Sequence, residues 1–181
     1  MANENPSSGV ASGETPAERR AAAIVAAARF GATEAEFARA ERTLAEQSAG
    51  ASGPGDALWA LSIRAIERYT SARDWDGAGL VYLAQARWLH EHEPGHDFRE
   101  PLKLAHHAAV LDIQKRKHHA RVAIDGRRCC ATCATLDGEE FSFSRAIEDS
   151  PIPNPACENP WCACTWRGVP LPRRRRAAPR P

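Results

Sequence analysis

Six cysteines lie in the last third of the chain, between Cys129 and Cys164, and the preceding 128 residues contain none. A segment of about 40 residues is too short for a hydrophobic core alone to stabilise it, so metal ions or disulfides are expected to hold it together. In a reducing compartment, clustered cysteines bind metal more often than they form disulfides. The cysteine cluster therefore predicts a small metal-binding module at the end of the chain.

The spacing of these cysteines is typical of a structural zinc site. Cys130 and Cys133 are separated by two residues, Cys157 follows after 23 more, and Cys162 and Cys164 close the motif. Four thiolates in a tetrahedron suit Zn²⁺, and four protein ligands leave no open position for a catalytic water. The sequence predicts Cys130, Cys133 and Cys157 as ligands, with Cys162 and Cys164 competing for the fourth place.

Cys129 is left without a ligand role in this assignment, because adjacent residues rarely both reach one ion. Three alternatives to structural zinc stay open from the residues alone. They are a redox-active pair formed by Cys130 and Cys133, an iron–sulfur cluster, and thiols that bind no metal.

Several motifs of this region resemble the Cys-rich C-terminal module of Mu-like phage head-morphogenesis proteins, and similar modules of uncharacterised bacterial zinc-binding proteins. The resemblance covers residues 121–167 and rests on Cys130-x-x-Cys133, Leu136-Asp137-Gly138, Pro151-Ile152-Pro153, Cys157 and Cys162-Ala163-Cys164. The chain departs from the pattern at Ala163, where that family usually has Arg, and at Cys157, where His is common. The resemblance implies metal binding and a phage or mobile-element origin. The rest of the chain carries no such resemblance.

The first 120 residues are typical of a helical protein. The chain contains 35 Ala, the strongest helix former. Capping boxes at Thr15–Glu18 and Thr33–Glu36 predict two helices, and Asp56, Asp74 and Glu100-Pro101 predict the starts of three more. We therefore expect a mainly α fold, with about five N-terminal helices and a small C-terminal zinc-binding module of β-hairpin and loops.

Composition shifts predict six segments along the chain. They are a disordered start (1–14), an Ala-rich helical hairpin (15–50), a linker (51–55), a helical bundle (56–120), the zinc-binding module (121–168) and a basic disordered tail (169–181). The apolar stripe of the hairpin is thin, so it is expected to dock on the next unit or on a partner.

Short elements are expected inside the zinc-binding module. Arg121–Ile124 reads as a strand, and the turn at 136–138 predicts a hairpin that joins residues 134–135 to 141–143. Ser144 is expected to cap a helical turn. Trp161 and Trp166 flank the last cysteines and are predicted to pack over the metal site.

The distribution of charge bears on possible partners. The net charge is only +1, which excludes a uniformly basic nucleic-acid binder. Residues 129–168 carry a net charge of −4, whereas the basic patch at 115–128 and the tail could contact phosphates. The tail residues predicted for this role are Arg173, Arg174, Arg175 and Arg176. No stretch approaches the roughly 18–20 apolar residues that a membrane helix needs.

All seven histidines lie between residues 90 and 119, and His92, Glu93 and His96 match the His-Glu-x-x-His pattern of zinc peptidases. That chemistry needs both His on one face of a helix, and Pro94-Gly95 breaks the helix between them. The sequence therefore argues against a peptidase.

The sequence best supports a non-catalytic, cytoplasmic zinc-binding protein with a structural or interaction role and an unidentified protein partner. The cytoplasm is favoured because no secretory signal is evident in the first 18 residues. One alternative is a nucleic-acid-binding protein that uses the basic patch and the tail. The other is a thiol oxidoreductase acting through Cys130 and Cys133.

Overall fold

The computed structural model describes residues 13–48, 52–127, 129–159 and 161–171. In these ranges the elements are α1 (Pro16–Ala28), α2 (Glu34–Gln47), α3 (Pro54–Ser71), α4 (Trp75–His92), α5 (Arg99–Lys115), β1 (His119–Asp125), α6 (Ala131–Ala134), β2 (Glu140–Phe141), α7 (Phe143–Glu148) and β3 (Thr165–Pro170). The expected mainly α fold with a small C-terminal module is confirmed. None of these helices is both long and apolar enough to cross a lipid bilayer.

The starts of the first two helices follow the capping boxes read from the sequence. The Thr15 hydroxyl accepts the N–H of Glu18, and the Glu18 carboxylate accepts the N–H of Thr15. Thr33 and Glu36 repeat this arrangement at α2. Between the helices Gly31 has a φ of 85°, a left-handed conformation that glycine adopts without strain.

The start of α3 differs from the prediction. Asp74 caps α4 as expected, by accepting the N–H of Gly77. Asp56, however, is the third residue of α3, and its carboxylate accepts the N–H of Gly53, 2.7 Å away. Pro54 begins the helix, because its fixed φ suits the first helical position. The predicted linker at 51–55 therefore overlaps the first turn of α3.

A first core is formed by α1, α2, α3 and α4. The hairpin of α1 and α2 packs on α3, and the rings of Phe30 and Phe37 are fully buried there. The apolar stripe of the hairpin is therefore part of this core. The buried side chains are Ala23, Ala27, Phe30, Phe37, Ala40, Ala57, Leu58, Leu61, Ala65, Val81, Ala84 and Trp88.

A second core lies between α5, α7 and a three-stranded antiparallel sheet of order β2-β1-β3. Its buried side chains are Val110, Val122, Ile124, Cys133, Ala146, Ile152, Cys162, Cys164 and Trp166. Val110 belongs to α5, and α5 also packs extensively against α4. The helix α5 therefore contributes to the second core, although the sequence suggested a boundary near residue 120.

Several predictions for the C-terminal module were wrong in detail. Residues 131–134 form the short helix α6, and β2 pairs with β1 through Val122 and Phe141. The predicted hairpin between 134–135 and 141–143 is therefore absent from the described residues. Ser142, two residues before Ser144, caps α7 by accepting the N–H of Arg145. Ser142 is the N-cap residue of α7, and a serine at this position accepts the N–H of the third helical residue, here Arg145.

The end of the chain also departs from expectation. The predicted tail began at residue 169, but β3 continues to Pro170, and the N–H of Leu171 donates to the carbonyl of His118. Residues 1–12 of the predicted disordered start and residues 172–181 of the tail lie outside the described residues.

Candidate metal centre

The first three cysteines are positioned by the turn that follows β1. The N–H of Cys129 donates to the carbonyl of Gly126, and Cys130 is the residue that precedes α6. Cys133 lies in α6 and is fully buried. A Cβ on Gly126 would stand 2.6 Å from the carbonyl oxygen of Cys133, so the backbone of the turn approaches α6 as closely as only glycine permits.

The last three cysteines reach the same place because β3 pairs with β1. Cys164 directly precedes β3, and Thr165 is the register partner of Asp125 at the end of β1. This pairing brings Cys162 and Cys164 beside the turn that carries the first cysteines. A further turn, closed by the N–H of Cys157 and the carbonyl of Asn154, orients Cys157.

Four thiols form a group of the size that a metal ion requires. The Sγ atoms of Cys129, Cys133, Cys157 and Cys162 all lie within 4.8 Å of one another. The Sγ atoms of Cys133 and Cys162 are 3.7 Å apart, and those of Cys129 and Cys162 are 4.0 Å apart. A tetrahedron with metal–sulfur bonds of about 2.3 Å has edges of about 3.8 Å, so the spacing of these thiols fits a tetrahedral ion.

The remaining two thiols lie against this group. The Sγ of Cys130 is 3.7 Å from that of Cys157, and the Sγ of Cys164 is 3.3 Å from that of Cys129. In addition, the side-chain amide of Asn154 approaches the Sγ of Cys133 at 3.6 Å. An amide donor of this kind stabilises the negative charge of a coordinated thiolate.

The surroundings of the thiols shift their pKa values in opposite directions. Backbone N–H groups of Cys133 and Glu158 lower the pKa of Cys130 to about 7. Burial raises the pKa of Cys157 to about 11 and raises the pKa values of Cys133 and Cys164 further. A metal must displace protons from the buried thiols, so metal binding is expected to weaken as the pH falls.

Of the five predicted ligands, Cys133, Cys157 and Cys162 belong to the group of four, whereas the thiols of Cys130 and Cys164 lie beside it. Cys129, which the sequence left without a role, is part of the group of four. The group contains Cys129 but not the adjacent Cys130, so the structure exchanges the two neighbours relative to the prediction. The turn at Gly126 changes the direction of the chain at that point and so brings Cys129 to the other thiols.

The Leu136-Asp137-Gly138 motif supports the cluster from outside. The Asp137 carboxylate accepts the N–H of Gly126, and the N–H of Gly138 donates to the carbonyl of Ile124 at 2.9 Å. The N–H of Ile124 in turn donates to the carbonyl of Glu139. The motif therefore fixes the end of β1, from which the turn with Cys129 departs. Sequence reasoning noticed the motif as a hairpin signal and as part of the resemblance to the phage module, but not as a support for the end of β1.

The two tryptophans do not share the role predicted for them. Trp166 is buried in the second core, with its ring 5.7 Å from that of Phe141. Trp161 instead packs on the helical region: its ring centroid is 5.5 Å from that of His90 and 5.8 Å from that of Phe98. It therefore connects the Cys-rich loop to α4 rather than covering the thiols.

Three arginines of the basic patch at 115–128 have acidic partners. Arg116 pairs with Asp112, and Arg127 pairs with Asp125. Arg121 lies 4.0 Å from Glu140. These pairs weaken the case for a phosphate-binding surface. Arg128, Arg173, Arg174, Arg175 and Arg176 lie outside the described residues, so the nucleic-acid role of the tail stays a prediction.

The His-Glu-x-x-His match has no helical geometry. The helix α4 ends at His92, and Glu93 is its C-cap. The Nδ1 of His92 lies 2.9 Å from the Glu14 carboxylate, whereas His96 is exposed beyond the helix end. Among the described residues, no histidine belongs to a group that could hold a metal ion.

Comparison with known proteins adds no relative: no family model matches the chain, and no curated protein or solved structure is detectably similar to it.

Proposed function

We propose that the chain is a non-catalytic zinc-binding protein, in which zinc stabilises the C-terminal module and the folded molecule binds a protein partner. The observation that carries this proposal is the group of four thiols within 4.8 Å of one another, of which two are buried and two are partly buried. Sulfur-only ligands select Zn²⁺ among the abundant divalent cations, whereas Mg²⁺ and Ca²⁺ require oxygen. Because cysteine supplies every ligand, the site has no open position for substrate.

Reduced thiols at this site require a reducing environment, which supports a cytoplasmic location. A phage or mobile-element origin is the further part of the proposal. It is supported by the Leu136-Asp137-Gly138 motif, which in this chain holds the strand next to the cysteines. Genes for virion or mobile-element proteins beside the coding sequence would support that origin, and a conserved metabolic neighbourhood would contradict it.

Protein purified without chelator is expected to contain bound zinc, and removal of the zinc is expected to unfold the C-terminal module. The reason is that a segment this small depends on its metal for folding. Zinc is measured by plasma mass spectrometry, and unfolding of the module is followed by limited proteolysis. Metal-free protein whose six thiols all react freely while the fold persists would contradict the proposal. Turnover of dithiol substrates by such protein would favour the oxidoreductase alternative.

The partner surface is assigned to exposed apolar side chains of α4. Leu80 and Leu83 are 46% and 42% exposed, and they line one cavity together with Arg87 and Trp161. The guanidinium of Arg87 lies 5.7 Å from the ring centre of Trp161. Aromatic and arginine side chains are enriched at the centre of protein–protein interfaces, and the two exposed leucines extend the apolar surface beside them.

Replacing Leu83 with aspartate is expected to abolish capture of the partner by the immobilised chain, because a charge at the centre of an apolar contact is costly to desolvate. The matched control is Ile63→Asp on α3, where the isoleucine is 48% exposed. The measurement compares proteins retained by wild type and by the two variants. A protein retained equally by all three does not bind this surface, and such a result would overturn the assignment.

A further inference from the structure

Two of the six cysteines lie outside the group of four thiols but touch it. The Sγ of Cys130 is 3.7 Å from that of Cys157, and the Sγ of Cys164 is 3.3 Å from that of Cys129. Cys157 and Cys129 belong to the group, whereas Cys130 and Cys164 do not. When one ion occupies the group, each of these two residues is therefore an uncoordinated thiol in contact with the sulfur of a ligand.

The two uncoordinated thiols differ in their access to solvent. Cys130 is partly exposed, and so is the ligand beside it, Cys157. Cys164 is buried, with only 1% of its surface exposed. Exposure is one of the properties that decide which cysteines are oxidised. A small oxidant in solution can therefore reach Cys130, whereas the protein shields Cys164.

We infer that Cys130 is a site of reversible oxidation by hydrogen peroxide, and that its disulfide with Cys157 releases the zinc ion. This inference rests on the proposed function, because it takes zinc to be the metal held by the group of four. The two Sγ atoms are in contact at 3.7 Å, and a disulfide bond of about 2 Å requires them to move closer. Both side chains belong to loop or cap positions that flank short elements, and neither lies inside a long helix or a strand.

The reaction takes place in two steps, with peroxide as the oxidant. The Cys130 thiolate attacks one oxygen of H₂O₂, the O–O bond breaks, and a sulfenic acid forms together with hydroxide, which is protonated to water. The Cys157 thiolate then attacks the sulfenic sulfur, the S–O bond breaks, and the second oxygen also leaves as hydroxide and becomes water. The two sulfur atoms together lose two electrons, and the two oxygen atoms of the peroxide gain them.

Zinc release follows because the disulfide removes one ligand from the group. Once Cys157 is bonded to Cys130 it is no longer a thiolate, and the group retains Cys129, Cys133 and Cys162. Structural zinc sites use four protein ligands, so three thiolates hold the ion less tightly.

Loss of the ion also affects the partner surface. Trp161 directly precedes the ligand Cys162, and it lines one cavity together with Leu83 of α4. A module that depends on its metal for folding loses the position of this loop when the metal leaves. Oxidation of Cys130 is therefore expected to remove Trp161 from the partner surface, which makes partner binding sensitive to peroxide.

Peroxide treatment of the zinc-loaded, full-length protein tests this inference. We expect zinc to be released into solution, where a chromogenic chelator detects it, and to be bound again after reduction with dithiothreitol. Peptide mapping without reduction is expected to show a disulfide between Cys130 and Cys157. Absence of zinc from the reduced protein would overturn the proposed function together with this inference. Bound zinc that resists peroxide, or a disulfide that does not include Cys130, would overturn the inference and leave the proposed function standing.

Substitution of Cys130 separates this reaction from direct oxidation of the ligands. Cys130→Ser is expected to bind zinc as the wild type does, because Cys130 lies outside the group of four, and to lose the release of zinc in peroxide. The matched control is Cys164→Ser, which removes the other thiol beside the group and is expected to release zinc as the wild type does.

Three results with these variants would overturn the inference. Failure of reduced Cys130→Ser to bind zinc would make Cys130 a ligand. Release of zinc from Cys130→Ser at the rate of the wild type would mean that peroxide oxidises the ligands directly. Resistance of zinc-loaded Cys164→Ser to peroxide would mean that the reaction needs the buried thiol.

Discussion

Replacing Cys133 with serine is expected to abolish metal binding and to unfold the C-terminal module while α1–α4 remain folded. The Sγ of Cys133 is fully buried, lies 3.7 Å from that of Cys162 and is approached by the Asn154 amide. A serine hydroxyl is a poor ligand for a soft ion. Structural zinc sites have apparent binding free energies of about 10–16 kcal/mol. That is comparable with the whole unfolding free energy of a typical domain, about 5–15 kcal/mol.

In Cys133→Ser, the loss of protection from hydrogen exchange is expected to be graded along the chain, because α5 packs on both cores. One side of α5 contributes Val110 to the second core, and its buried Leu102, Ala105 and Ala108 belong to the rest of the helix, which packs mainly on α4. Hydrogen exchange read by mass spectrometry should show β1, β2, β3 and α7 exchanging freely. Exchange in α5 should be intermediate, and α3 and α4 should keep the protection of the wild type.

The matched control for Cys133→Ser is Ala134→Ser, which adds a hydroxyl at an exposed position of α6 and removes no thiol. Its exchange pattern should match that of the wild type. Loss of protection in α1–α4 to the same degree as in β1–β3 would mean that both cores unfold as one cooperative unit. Protection throughout the module of Cys133→Ser would mean that its fold does not need the metal.

The helical part could be predicted from the sequence because its signals are local. Thr15, Thr33 and Asp74 accept N–H groups within three residues of their own positions, and the structure confirms each cap. Asp56 shows the limit of such signals. The carboxylate of an aspartate can cap a helix from the position before it, or it can lie in the first turn and accept the N–H of the cap residue. Asp56 does the latter, because the helix begins at Pro54.

The sheet was beyond this kind of reasoning because its pairing is not local. β3 pairs with β1 across about 40 residues of chain, and Asp125 meets Thr165 only once the cysteine loop has closed. The residues of β3 include Gly168 and Pro170, which are poor strand formers, so propensity gave no indication of a strand. The hairpin signal at Leu136–Gly138 was assigned to the wrong strands for the same reason.

The candidate site was predictable as a cluster of cysteines but not as an arrangement. Cysteine spacing pointed to three members of the group of four, Cys133, Cys157 and Cys162, because the requirement for soft ligands is chemical and does not depend on the fold. The position of Cys129 depends on the turn at Gly126, and the position of Trp161 depends on how the loop meets α4. The first is a local turn and the second a tertiary contact, and the spacing of the cysteines along the chain encodes neither.

Phe37→Ala is expected to destabilise the first core without releasing metal. The ring of Phe37 is fully buried between α2 and its neighbours, and the guanidinium of Arg20 lies 5.9 Å from the ring centre. Arg20 also donates two hydrogen bonds to the carboxylate of Glu41, so the two helices of the hairpin are joined at this point. Deleting a buried phenylalanine ring costs about 3–5 kcal/mol, because the cavity collapses only in part.

For a chain of this length, that loss corresponds to a fall of about 6–20 °C in the midpoint of thermal unfolding, followed by far-UV circular dichroism. Ile63→Ala, at a half-exposed position of α3, should change the unfolding free energy by no more than about 0.5 kcal/mol. Zinc content should stay the same in both variants, since Phe37 touches no part of the second core. Release of zinc from Phe37→Ala below its unfolding midpoint would show that the metal centre depends on the hairpin. The helix α5 would then transmit strain from the first core to the cysteines, because it is the element that packs on both α4 and the sheet.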